Sequence, residues 1–438
     1  MSDISIDKKL VKSILHSMTG RYLVYAVQLI SMMVLARVFS PETFGIFAVI
    51  QVFAVFFALI SEMGFGPALV NESKISKEMR DGIFTFTWIL GISISVLFFA
   101  TSPLISWFYD NEIYQYLVIP IAISVIFNTA SIVPLSSFNR EKMFISIARC
   151  EAFAEIISIF VVLLSLRILD PIWALSLKPL TVAFFKFFLL LFGSKRTEIG
   201  VPKFGKELGH IKKILDFSKD QASFNFLNYF SRNLDNILVG KYLGSVSLGI
   251  YDKAYQLMRY PLLLLTFAMS PAIQPVMKEL KNDLHKFETL HSKFIIFVSI
   301  IGLIVGFSVY FLSDYIVSLL LGPQWTAVGP LLGILSVSIP IQIVMSTSGG
   351  FYQAAGRADL MLRCGLFAFF TNVTGIIIGV WTRDLQLLSW AIVGCSFINY
   401  IQCYYTMGKY LLPSGAWHTL KNILITLIGV IVLFFVVI

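Results

Sequence analysis

Residues 217–261 read FSKDQASFNFLNYFSRNLDNILVGKYLGSVSLGIYDKAYQLMRYP, a polar stretch in strongly apolar surroundings. Gln221, Asn225, Asn228, Arg232 and Asp235 follow one another at spacings of four, three, four and three. On a helix of 3.6 residues per turn these positions form one stripe on one face. A charge at the centre of a bilayer costs roughly 3 kcal/mol or more, so a lipid-embedded helix cannot turn Arg232 and Asp235 to acyl chains. The stripe therefore faces a bundle interior or a wet cavity.

The rest of the chain supports a membrane reading. It has 438 residues, 57% hydrophobic and only 13% charged, with a mean hydropathy of +0.82. Soluble domains carry about 25% charged residues. The start, MSDISIDKKLVKSILHS, is polar and basic, and the apolar run after it is too long for a signal peptide. Cys150, Cys364, Cys395 and Cys403 sit inside apolar runs without the close spacing of a zinc or redox pair.

A spanning helix needs about 20 apolar residues. Such segments fall near 18–39, 45–69, 82–107, 116–138, 147–168 and 173–192, then near 217–242, 248–275, 293–313, 328–354, 363–382 and 388–408. A last apolar run covers 422–438. Alternate loops differ in charge. One set holds Lys8, Lys74, Arg140, Lys203, Lys278 and Arg357 among others, whereas the opposite set holds only Arg383, with Arg37 and Lys241 at its margins. The positive-inside rule then places the N-terminus in the cytoplasm and assigns the net charge of +9 to cytoplasmic loops rather than to nucleic acid.

The chain repeats itself. Residues 37–47, RVFSPETFGIF, align without gaps on residues 241–251, KYLGSVSLGIY, at an offset of 204. Arg149-Cys150 matches Arg363-Cys364 at an offset of 214. At offset 204, Ser17, Arg21, Gln28 and Ser31 fall on Gln221, Asn225, Arg232 and Asp235, so the stripe is repeated too. Six spans per repeat is an even number, which orients both halves alike, and transporters place substrate sites at repeat interfaces. The expected parts are an N-terminal six-helix bundle (1–192), a cytoplasmic connector (193–216), a C-terminal six-helix bundle (217–408) and an additional membrane segment (409–438).

LARVFSPETFGIF, SEMGFGPALV, NLDNILVGKYLGSVSLGIYDKAYQLMRYP, LLGPQWTAVGPLL and YQAAGRADLMLR occur in this order between about residues 30 and 365. In that order they resemble Wzx-type polysaccharide and O-antigen flippases, of the polysaccharide-transport branch of the MOP superfamily. FNREKMF resembles that family's cytoplasmic loop after the fourth span. The resemblance implies an all-α polytopic membrane protein with two pseudo-symmetric six-helix bundles around a central lumen. The extra C-terminal helix departs from the twelve or fourteen spans of many members. It further implies export of a polyprenyl-pyrophosphate-linked oligosaccharide from the inner to the outer leaflet of the bacterial cytoplasmic membrane by alternating access. Membrane lipids, and the polymerase and chain-length regulators of the same pathway, are the partners in that setting; the transporter is expected to act as a monomer.

The head of such a substrate must cross roughly 30 Å of hydrocarbon without losing its polar partners. Candidate substrate-binding cations at membrane depth are Arg21, Lys178, Lys186, Arg232, Lys253 and Arg259. Arginine suits phosphate because its planar fork makes paired charge-assisted bonds. Gln28, Asn225, Asn228, Asp235 and Glu62 are the polar or coupling candidates. Arg232 and Asp235 also fit a simple neutralising pair three residues apart, and Arg21, Lys178 and Lys186 also fit cations that snorkel to the interface. Glu151 and Glu155, one turn apart, read as a solvated mouth.

A multidrug or small-molecule antiporter of the same superfamily and a lipid II flippase are the rival transport readings; the excess of bases over acids favours a phosphate-bearing substrate. A membrane glycosyltransferase or polymerase would need a large extramembrane loop with carboxylates or metal ligands. The five histidines form no H-x-x-H, and no G-x-S-x-G or Walker motif occurs. No cofactor, metal or catalytic residue is therefore expected.

Overall fold

The computed structural model describes residues 2–437, apart from 63–64, 73–74, 208, 210–228 and 230–232. All regular structure among them is helical. Two compact units are formed, Met1–Val246 and Ser247–Ile438.

The first unit holds α1 (Ser2–Val38), α2 (Pro41–Glu62), α3 (Phe65–Asn71), α4 (Lys77–Tyr109), α5 (Ile113–Ala130), α6 (Ile132–Arg140), α7 (Phe144–Ser165) and α8 (Pro171–Gly193). A helix over 233–242, here α9, completes it. The second unit holds most of α10 (Ser245–Glu279), then α11 (Leu284–Phe311), α12 (Ser313–Leu320), α13 (Val328–Ser336), α14 (Ile339–Ala354), α15 (Ala358–Trp381), α16 (Leu385–Tyr410) and α17 (Gly415–Val437). Among the described residues, nine helical segments are long and apolar enough to cross a membrane, and α13 with α14 makes one further span, bent by 54°. Of the thirteen apolar segments read from sequence, 147–168 does form a helix, α7. It misses that apolar criterion because Arg149, Glu151 and Glu155 lie within it. The 217–242 segment lies largely outside the described residues, and 248–275, which carries Asp252, Lys253 and Arg259, forms the body of α10 but is not among these ten spans. The last run is longer than its apolar core: α17 starts at Gly415 and extends about 34 Å at 1.5 Å per residue.

Element boundaries follow the repeat. α1 ends at Val38 and α2 starts at Pro41; α9 ends at 242 and α10 starts at Ser245, an offset of 204 in both cases. α7 and α15 start at Phe144 and Ala358, and α8 and α16 start at Pro171 and Leu385, an offset of 214 in both cases.

The first unit's core gathers Phe65, Ile83, Phe84, Val133 and Phe187. Residues 197–207, the start of the connector, are strapped to the first turns of α4. Arg80 Nη1 donates to the Ile199 carbonyl at 2.5 Å, the Lys203 amide donates to Asp81 Oδ1 at 2.8 Å, and the Gly205 amide donates to Thr85 Oγ1 at 2.8 Å. Two glycines permit this approach. A Cβ on Gly82 would run into the Glu207 carbonyl, and one on Gly205 would lie 2.8 Å from the Asp81 backbone. Above them Phe204 packs on Phe84 and Trp88. α9 belongs to this unit as well: Tyr109 donates to the Ile237 carbonyl at 3.2 Å and Lys241 pairs with Asp110 at 2.6 Å.

In the second unit α11 opens on Asp283, which accepts from the Lys286 amide at 3.1 Å; that bond holds its carboxyl below the usual range. α11 and α17 are joined by a polar ladder. Glu288 accepts from Ser414 Oγ at 2.8 Å, Asn422 donates to Ser292 at 2.8 Å, and Ser299 shares a 2.5 Å hydrogen bond with Thr426. Tyr400 of α16 donates to the same Thr426 at 3.0 Å.

Candidate ion-pair site in the first unit

α7 and α8 form an antiparallel hairpin joined by residues 166–170. Pro171 stands at the first position of α8, where its missing amide would be unbonded anyway. Small buried residues on α7, Ala148, Ala152, Ala154 and Ser158, keep the hairpin and its neighbours close. Two cations on α8 then meet two carboxylates on α7. Lys178 Nζ lies 2.8 Å from Glu155 Oε1, and Lys186 Nζ lies 2.8 Å from Glu151 Oε1.

The levels of these pairs follow from helical rise. Glu151 lies seven residues from Phe144, and Lys186 seven residues from Gly193, so both stand about 10 Å from the shared end of the hairpin. Glu155 is one turn deeper, about 16 Å in, and Lys178 reaches down to it from about 22 Å. Measured from that end, the inner pair stands at about half the thickness of a hydrocarbon layer, roughly 30 Å. It is also the more buried: Glu155's side chain is 9% exposed and Lys178's 24%, against 31% and 21% for Glu151 and Lys186. Glu155 Oε1 faces Lys178 outside hydrogen-bonding geometry and has no other hydrogen bond among the described residues. The four groups sum to zero charge, which makes burial tolerable. Glu155 is thus buried against a lysine rather than set in a solvated mouth, while Glu151 stays partly exposed, and Lys178 and Lys186 each have a carboxylate partner.

Other predicted positions surround or lie apart from this hairpin. α1 lies against α7: a Cβ on Gly20 would stand 3.1 Å from the Phe144 carbonyl and 3.2 Å from Ala148 Cβ. Arg21, the next residue, and Gln28 are exposed on α1. Glu62, exposed at the end of α2, is within reach of the Lys186 charge. Asp235 is buried on α9 and accepts from the Asn236 amide at 2.9 Å. Gln221, Asn225, Asn228 and Arg232 lie outside the described residues. Lys253 and Arg259 belong to the second unit. Lys253 is buried and donates to Asp252 Oδ2 and Gln256 Oε1, both at 3.1 Å. Arg259 is exposed, its guanidinium 5.9 Å from the centre of the Tyr255 ring. Among the described residues no group of His, Cys, Asp or Glu is arranged to hold a metal ion.

The repeat sharpens the contrast between the halves. At an offset of 214, Glu151, Glu155, Lys178 and Lys186 correspond to Gly365, Phe369, Ile392 and Tyr400. The hairpin architecture therefore does not require the ion pairs. They are an addition to one half.

Comparison with known proteins agrees with this architecture. Residues 34–330, more than half the chain, match the family model described as polysaccharide biosynthesis protein. The teichuronic acid biosynthesis protein TuaB of Bacillus subtilis is 23% identical over 360 residues, 82% of this chain and 73% of that protein. The lipopolysaccharide biosynthesis protein WzxC of Escherichia coli is 22% identical over 414 residues, covering 94% and 83%. Among solved structures, the lipid II flippase MurJ in an inward closed conformation superposes with a TM-score of 0.75 at 16% identity, covering 96% of this chain and 92% of that one. An inward-facing multidrug resistance MATE family transporter of the MOP superfamily superposes with a TM-score of 0.68 at 13% identity, covering 91% and 94%. The chain belongs to the polysaccharide biosynthesis protein family, as a multi-pass membrane protein that shares its fold with these two solved structures.

Proposed function

We propose that this protein is a flippase for a lipid-linked oligosaccharide, moving a polyprenyl-pyrophosphate-bound glycan from the inner to the outer leaflet of the bacterial inner membrane by alternating access. In this reading the N-terminus is cytoplasmic, and the glycan carrier and the surrounding lipids are the protein's immediate partners. The observation that carries it is the pair of lysines held at membrane depth by carboxylates, Lys178 with Glu155 and Lys186 with Glu151. A polyprenyl tail can remain in lipid while its pyrophosphate needs cations along the way. Lysines paired with carboxylates can be offered to a phosphate without leaving bare cations in the apolar layer between cycles. Family membership supplies the glycan side of the reading.

The test is complementation of a bacterial strain whose own exporter has been deleted. Surface glycan should return with the wild-type chain and fall at least tenfold when both pairs are neutralised together (Lys178→Gln, Lys186→Gln, Glu151→Gln and Glu155→Gln), at equal membrane levels; a tenfold loss corresponds to about 1.4 kcal/mol. Full export by this neutralised variant would contradict the assignment.

A further inference from the structure

A second polar face exists on α10, apart from the ion pairs. Asp252, Tyr255, Gln256 and Arg259 stand at steps of three, one and three, so they share one side of the helix. None of the four is fully buried, and Arg259 is exposed. They run from about 10 to about 21 Å along α10 from Ser245. Polar groups within an otherwise apolar bundle turn to its interior or to a wet cavity rather than to acyl chains.

The repeat shows that the helix does not need them. α2 is the counterpart of α10 at an offset of 204, and there the four positions are Ala48, Gln51, Val52 and Val55. Lys253 corresponds to Val49. A lysine and three of the four polar residues have thus been placed where the equivalent helix is apolar.

The chemistry of the face is mixed. Lys253 is buried, and its ammonium holds Asp252 Oδ2 and Gln256 Oε1 at 3.1 Å each. It orients these side chains rather than offering a charge. With Oε1 turned to the lysine, the Gln256 amide nitrogen is the end left as a donor, and Asp252 Oδ1 is left as an acceptor. Beside them is the Tyr255 ring, with the Arg259 guanidinium 5.9 Å from its centre. An acceptor, a donor, a flat apolar ring and a planar fork within two helical turns suit a ligand with many hydroxyls and apolar C–H faces. A carboxylate in the row disfavours a phosphate.

We infer that this face of α10 reads the sugar residues of the transported glycan: Asp252 and Gln256 bond hydroxyls, Tyr255 stacks on a ring, and Lys253 is a positioning residue. The inference deepens the flippase reading and rests on it.

The experiment uses the same complementation strain with Tyr255→Leu and Gln256→Leu, membrane levels being checked for each. Tyr255→Leu and Gln256→Leu should lose about tenfold, the loss of one stacking or hydrogen-bonding contact. The purified full chain is then titrated with the host oligosaccharide released from its carrier, and separately with inorganic pyrophosphate. The free glycan should bind the wild type and bind Gln256→Leu about tenfold more weakly, while pyrophosphate binding is unchanged by that substitution. Export and glycan binding by both leucine variants within twofold of wild type would overturn the inference alone, as would a Gln256→Leu effect confined to pyrophosphate. A wild-type chain that restores no export would sink the flippase reading and this inference together.

Discussion

Lys178 and Glu155 invite two readings, a structural neutralising pair or a cation kept in reserve for phosphate, and they can be separated. Breaking a buried pair by removing one partner typically costs about 3 kcal/mol or more, so Lys178→Ala alone would confuse misfolding with lost function. Exchanging the charges, Lys178→Glu with Glu155→Lys, keeps the pair but moves the cation to α7. Thermal stability in detergent should stay within a few degrees of wild type while export falls at least tenfold, about 1.4 kcal/mol of substrate interaction. Export restored to wild-type level by the swap would show that only neutrality matters at these positions. What the sequence showed at this scale was the presence of lysines and glutamates at odds with lipid; which of them meet was hidden. Spacing along one helix gives a face, whereas the Glu155–Lys178 pairing depends on the register of two helices set by packing and by the turn at 166–170. The equal distances of Glu151 and Lys186 from the hairpin's open end were the available clue.

At the level of elements, the strap at 197–207 and helix α17 each give a direct test. Gly82→Ala puts a methyl into the Glu207 backbone. Overpacking of this kind costs about 1–3 kcal/mol, and here the connector has somewhere to go. Protease added to the detergent-solubilised chain should cut near residues 197–207 faster in Gly82→Ala than in wild type; an unchanged cutting rate would mean that the strap is not held at Gly82. Thr426→Val removes the hydroxyl that Ser299 and Tyr400 share. Interhelical bonds in membranes average about 0.6 kcal/mol, so the two together are worth about 1 kcal/mol and the melting temperature in detergent should drop by a few degrees. No drop would show that the Thr426 hydroxyl does not help to hold α17. Most elements were legible because apolar runs mark them, although α2 and α8 begin at Pro41 and Pro171, a few residues ahead of the apolar segments read from 45 and 173. The strap was not, since Gly82 and Gly205 look unremarkable in sequence and matter only because two backbones touch there. Nor was the bend of 54° between α13 and α14, which the sequence reading joined into one segment, 328–354.

For the whole molecule, the repeat explains why a charge-poor chain can be read so far without relatives. Helix starts recur at offsets of 204 and 214, which identifies counterpart positions and so reveals where one half departs from the other. Both candidate faces, the α7–α8 ion pairs and the α10 stripe, lie where the counterpart is largely apolar. Duplicated architecture with unduplicated charge is what an asymmetric cargo, a phosphate with sugars attached to a lipid, would select.

Translocation itself can be followed in liposomes. With the purified chain reconstituted and a polyprenyl-pyrophosphate-linked oligosaccharide supplied, transfer between leaflets is read by exposure of the glycan to an impermeant glycosidase. The wild-type chain should equilibrate the glycan between leaflets, and the chain with both pairs neutralised (Lys178→Gln, Lys186→Gln, Glu151→Gln, Glu155→Gln) should leave it where it began. Liposomes in which the two chains flip equally, or in which the wild type does no better than lipid alone, would contradict the account.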